Sequence, residues 1–146
     1  MHKRLAIVAK SAFVALAMTL LSIASATAQT QKPEQLAQQS SDSWLMLVDA
    51  GKYSESWQEA SQLFKSAVTQ PQWQSALEKV RTPLGKMVSR KFKSAQYTKT
   101  LPGVPDGEYV VIQYDTSFEH KRSAVETVTP MLEKDGKWRI SGYFIK

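Results

Sequence analysis

Apolar residues recur at helical spacing through the first half of the chain and at strand spacing through the second, and the change falls at Gly85. Pro33 suits the first turn of a helix, where its missing N–H costs nothing. From there Leu36, Ala37, Ser40, Trp44, Leu47 and Val48 mark one helical face, and Gly51 supplies a stop. Ser54 suits the N-cap of a second helix, whose stripe is Tyr53, Trp57, Ala60, Phe64, Ala67 and Val68. A third helix starts at Gln70-Pro71, carries Trp73, Ala76, Leu77 and Val80, and ends at Pro83 and Gly85. These tryptophan-rich stripes read as core.

After Gly85 the period is two. Lys86 to Thr98 alternates, with Val88, Arg90, Phe92 and Ser94 expected on one face. Leu101 to Gly107 holds two Pro and two Gly and is expected to be a shaped loop. Glu108 to Phe118 is rich in β-branched and aromatic residues, with Val110, Ile112, Tyr114, Thr116 and Phe118 sharing a face. Its other face also carries Tyr109 and Val111, which suits burial on both sides. A corner at Glu119-His120-Lys121 leads into Ser123 to Glu133. Asp135-Gly136 is a strong hairpin signal that returns the chain through Trp138 to Ile145. Pro130 makes the third strand either an edge or a bulged strand. The order predicts an α+β domain in which three N-terminal helices pack on one side of a curved four-stranded antiparallel meander.

The N-terminus changes the picture of where this domain works. His2, Lys3, Arg4 and Lys10 precede or flank an apolar stretch from Ala12 to Ile23, and Ala26-Thr27-Ala28 offers small residues at the two positions a signal peptidase inspects. The apolar stretch falls short of the roughly 20 residues a transmembrane helix needs. The expectation is a signal peptide over residues 1–28, cleaved after Ala28, then a flexible leader over 29–32 and one domain over 33–146, with no membrane contact after cleavage. Without Lys3, Arg4 and Lys10 the remainder has 16 basic residues against 13 acidic, a balance of +3 rather than the +6 of the whole chain. Lys86, Arg90, Lys91 and Lys93 are the nearest approach to a basic stripe, and a solvated strand face accounts for them, so nucleic acid is not an expected partner. The chain has no Cys, and beyond the signal His120 is its one His. Disulfides and thiolate or His-rich metal sites are therefore excluded, and no metal or cofactor is expected.

Several phrases carry a resemblance. They are Trp44-Leu45-x-Leu47-x-Asp49-x-Gly51-x-Tyr53-x-x-Ser56-Trp57, then Pro83-Leu84-Gly85 with Ser89-Arg90, then Leu101-Pro102-Gly103-x-Pro105-Asp106-Gly107-x-Tyr109. Glu126-Thr127-Val128 and Asp135-Gly136-x-Trp138-Arg139-x-x-Gly142-Tyr143 complete the series. Together, over nearly all of Gln35 to Lys146, they resemble a bacterial family of exported proteins known as the domain of unknown function numbered four thousand and nineteen. The resemblance implies a cystatin-like or nuclear-transport-factor-two-like roll and a periplasmic or secreted location. It implies no activity, because that superfold hosts isomerases, dehydratases, binders and association modules alike.

In such a roll the sheet and helices enclose a tapering cavity, and polar groups facing it are the candidates for binding. Arg90 lies between Val88 and Phe92, Tyr114 follows Val110 and Ile112, and Glu126 shares a face with Ala124, Val128 and Leu132. Arg90, Tyr114 and Glu126 are thus the candidate ligand-binding residues. A charge facing a core is costly unless paired, so Arg90 and Glu126 are expected to satisfy each other. Glu126 as base with Tyr114 as hydrogen-bond donor is the one catalytic arrangement on offer, matching no known signature, and no catalytic residue is assigned. His120, between Glu119 and Lys121, reads as a solvent-facing turn residue.

The leading expectation is a non-enzymatic exported module that binds a small apolar molecule or a protein partner. The alternatives are a homo-oligomeric module, such as a homodimer through the convex sheet face, and a small carbonyl-directed isomerase or dehydratase using Glu126 and Tyr114.

Overall fold

Pro33 opens the first helix, and Lys32 donates its N–H to the Gln35 side chain at 3.1 Å, so a side chain from the first turn closes the entry to the fold. The computed structural model describes residues 30–146. The expected signal peptide and its Ala26 and Ala28 cleavage positions lie outside the described residues. Helix α1 (Pro33–Asp49) buries Ala37, Ser41, Trp44, Leu45 and Val48. Ala37, Trp44 and Val48 are positions the sequence pattern marks, while Ser41 and Leu45 take the buried places in preference to Ser40 and Leu47, and Leu36 is exposed. Gly51, at φ +73°, turns the chain out of it.

The second helical stripe is two helices rather than one. Helix α2 (Tyr53–Gln58) stops at Glu59, and α3 (Gln62–Ala67) begins after Ser61, whose hydroxyl accepts the Phe64 N–H at 3.1 Å. Ser61 also donates its own N–H to the Ile140 carbonyl at 2.9 Å. A cap and a bond to the sheet together outbid one more helical turn. Ser54 lies within α2 and does not cap it. Helix α4 (Gln70–Leu84) has a reciprocal cap, in which Thr69 and Gln72 exchange hydrogen bonds, and it runs out at Pro83 and Gly85.

Four antiparallel strands follow, β1 (Met87–Thr98), β2 (Tyr109–Phe118), β3 (Lys121–Leu132) and β4 (Trp138–Ile145), in the order β1-β2-β3-β4. Pro130 is accommodated by a register shift between Thr129 and Pro130 on an interior strand, so the bulge rather than the edge is its solution. Strand β1 has shifts between Met87 and Ser89 and between Phe92 and Ser94. They break the expected alternation: Arg90 and Phe92 keep the inner face opposite Thr116 and Tyr114, whereas Val88 is exposed and Ser94 pairs with Gln113 on the outer face.

Helices cover one face of this sheet. Between them Trp44, Phe64, Trp73 and Tyr143 form an aromatic cluster, with ring centroids 4.9 Å apart for Phe64–Trp73 and 5.3 Å for Trp44–Tyr143. Val110, Ile112, Val128 and Ile140 complete the floor. These rings pack into the core between helices and sheet, where a tapering cavity was expected. Ser56 ties them down: its carbonyl accepts the Trp44 indole N–H at 2.8 Å and its hydroxyl accepts that of Trp73 at 2.9 Å.

Candidate functional site

Arg90 and Glu126 reach the inner sheet face from β1 and β3, and the register puts Thr116 and Tyr114 of β2 between them. The Arg90 Nε donates to Glu126 Oε1 at 2.7 Å. The other end of the guanidinium grips Asp49, the last residue of α1, through Nη1 and Nη2 at 2.7 and 3.0 Å. Arg81 of α4 adds a further bond to Asp49 at 3.0 Å. Thr116 donates to Glu126 Oε1 at 2.6 Å and the Tyr143 hydroxyl donates to Glu126 Oε2. Six side chains from α1, α4 and all four strands make one hub, with two carboxylates matched to two guanidinium groups.

Burial gives this hub its electrostatic character. Glu126 has no exposed surface, and the side chains of Arg81 and Arg90 are 5% and 12% exposed. Burial alone would raise the Asp49 carboxyl, but the hydrogen bonds and positive charge of Arg90, and then of Arg81, hold it below its ordinary value. For Arg90, burial works against the charge and Asp49 and Glu126 outweigh it, so its pKa rises. Tyr143 is pushed up by burial first and by the neighbouring Glu126 carboxylate next. Arg81 keeps its Nε and Nη1 buried without an acceptor; its guanidinium lies 4.9 Å from the Phe118 ring centre, which offers a π face instead.

The expected pairing of Arg90 with Glu126 is therefore present. Tyr114 is the register partner of Glu126, yet its hydroxyl turns the other way, to Asp42 Oδ1 at 2.7 Å on α1. Burial, followed by the Asp42 hydrogen bond, raises its pKa. The three candidates are brought onto one face, but each is engaged by the protein itself. Sequence reasoning missed Asp49, Arg81, Thr116 and Tyr143 as members. Arg81 carries a readable signal, because it stands four residues after Leu77 on the buried stripe of α4, where a charge needs a partner.

Beside the hub the surface carries a hollow of about 360 Å³ bordered by Asp49, Arg81, Tyr53, Lys86 and Glu119. A groove of about 430 Å³ runs between α1, α2 and β4, bordered by Trp44, Trp138, Glu55, Glu59 and Lys137. His120 is exposed, as a turn residue should be. Among the described residues no group of three or more His, Asp or Glu is placed to hold a metal ion, and no helix is long and apolar enough to cross a membrane.

Helices laid on one face of an open antiparallel meander, pinned by a buried polar hub, define a small α+β module. The chain belongs to the family described as "Protein of unknown function (DUF4019)", which matches residues 40–143. That span takes in every member of the hub, from Asp49 to Tyr143. No curated protein matches the chain.

Proposed function

We propose that this protein is an exported, non-enzymatic association module that engages a protein partner on its surface. The observation that carries the reading is the state of Glu126. Its two oxygens accept from Arg90, Thr116 and Tyr143, and it is wholly buried. A general base needs a free oxygen within reach of a substrate proton. A pocket for an apolar ligand needs vacant volume, and the aromatic cluster packs where it would lie. The carbonyl-directed isomerase reading thereby loses its base, and the interior-binder reading loses its space.

The outside is better suited to binding. Phe92 and Phe144 remain about half exposed and Val88 more so, on the inner rim, the outer face and the β1 edge respectively. Phe144 sits on the sheet face that no described helix covers, which favours a second copy as the alternative partner. The charged N-terminus, apolar stretch and Ala26-Thr27-Ala28 exit support export to the periplasm or beyond.

Native mass spectrometry of the protein isolated from the exported fraction tests all of this in one spectrum. The expected result is a chain beginning at Gln29, free of small ligands, accompanied by a heterologous protein complex. A dimer that persists on dilution would replace the partner with a second copy. A reproducible small-molecule mass, lost on denaturation, would overturn the proposal.

A further inference from the structure

The outer sheet face has a second polar feature, which the hub does not use. At the end of the sheet near the β2–β3 turn, a hollow of about 240 Å³ is bordered by Ser89, Ser117, Ser123, Lys91, Arg122 and Asp115. The register explains the convergence. Ser89 and Ser117 are direct partners across β1 and β2, and Lys91 faces Asp115 one step along the same face. The irregular register of β2 and β3 between Thr116 and Phe118 then brings Arg122 and Ser123 beside the same hollow.

The charges do not cancel. Asp115 is the one acid at the site, and Lys93 holds its Oδ1 at 3.2 Å from outside the hollow. Lys91 and Arg122 make no ion pair among the described residues, and the three serine hydroxyls make no side-chain hydrogen bond there either. Two free cations and three free hydroxyl donors therefore surround one small space. In the hub, by contrast, both carboxylates are held by guanidinium groups.

We propose that this hollow binds a tetrahedral oxyanion of the phosphate type. A guanidinium fork and an ammonium supply charge-assisted donors of the kind such an anion takes. The serine hydroxyls rotate to meet the remaining oxygens. A planar carboxylate would leave several of these donors idle. The site is open to solvent, so binding is moderate and weakens as salt rises.

Titrating the full folded protein with inorganic phosphate at constant ionic strength, with amide chemical shifts as readout, tests the site. Saturable shifts centred on Ser89, Ser117 and Ser123 are expected, with acetate at the same ionic strength producing little. The Lys91→Gln, Arg122→Gln double variant should weaken phosphate binding about tenfold or more. Ser117→Ala, which keeps both cations, should weaken it a few-fold. Both variants alter exposed or half-exposed positions, and an unchanged spectrum elsewhere verifies the fold. Shifts that stay linear in phosphate, match those of acetate, or survive the double variant would overturn the proposal. Sedimentation with phosphatidylglycerol vesicles but not phosphatidylcholine vesicles, lost in the double variant, would make a lipid headgroup the source. Saturable phosphate binding without sedimentation would make it free phosphate or a soluble ester.

Discussion

Arg90 and Glu126 lie on strands that are not neighbours, and their side chains meet at 2.7 Å across the intervening strand β2. The pair thus braces three strands sideways, on the side of the sheet where the helices rest. Because Arg90 also holds Asp49, the same guanidinium fastens α1 to the sheet.

Breaking that brace from one side should be expensive. Glu126→Gln leaves a buried guanidinium with one counter-charge fewer, and about 3 kcal/mol of stability should disappear. Replacing both members with apolar residues, Arg90→Met with Glu126→Leu, should cost less than the sum of the single changes. Urea unfolding of the four proteins in the cycle measures this. Additive losses would mean that the two side chains act independently.

Asp49 predicts the acid limb of stability. Its pKa in the fold is depressed, so its contribution is complete above the unfolded value of 3.8 and drains away as pH falls below that through the lower folded value. Asp49→Asn should be less stable than the parent at pH 7, and its stability should fall less steeply below about pH 4. Parallel curves for the two proteins would remove Asp49 from the explanation.

Tyr114 and Tyr143 set the opposite limb. Both are raised above 10.0, so the neutral phenol is the form the fold favours. Their contribution is present below the unfolded value and is lost as pH climbs beyond it. Absorbance at the tyrosinate band should therefore show ionisation of these two residues coinciding with alkaline unfolding, not preceding it. Tyr143→Phe should cost about 1–2 kcal/mol at neutral pH by removing a donor from Glu126.

Ser56 should separate the two central tryptophans. Ser56→Ala deletes the acceptor of the Trp73 indole and spares the backbone carbonyl that serves Trp44. A loss of about 1–3 kcal/mol is expected for an orphaned buried donor. Hydrogen exchange at the Trp73 indole should accelerate while that of Trp44 stays close to the parent rate. Equal acceleration at both would point to general loosening of the helices.

Much of this architecture can be read from residue order, and the exceptions have local causes. The alternation in β2 announces itself because one face is buried without interruption. The stripes of α1 and α4 are half marked: Ala37, Trp44, Val48, Trp73 and Leu77 are buried, but Leu36, Ala76 and Val80 face outward and are exposed. The join at Glu59 to Ser61 does not, because Ala60 keeps the stripe continuous while Ser61 bonds to Ile140, a residue far along the chain. Bulges in β1 likewise leave no mark in composition, yet they move Val88 and Ser94 off the face that simple alternation gives them. For the hub, a charge on an apolar face flags Arg90, Glu126 and Arg81. It does not say that Asp49, at the solvent end of α1, will turn inward to meet two of them.

The separations along the chain within the hub carry a consequence for the order of assembly. Each strand of the meander pairs with its immediate successor, so the sheet closes through short loops. Asp49 and Arg90, by contrast, are 41 residues apart, and Arg90 and Glu126 are 36. Contacts across longer loops incur more closure entropy before any reward. The hub is thus placed to form after the strands have zipped together, as a latch rather than a nucleus. Changes to it should quicken unfolding and leave the folding rate nearly untouched. How long the native state persists then rests in good part on these four charged side chains.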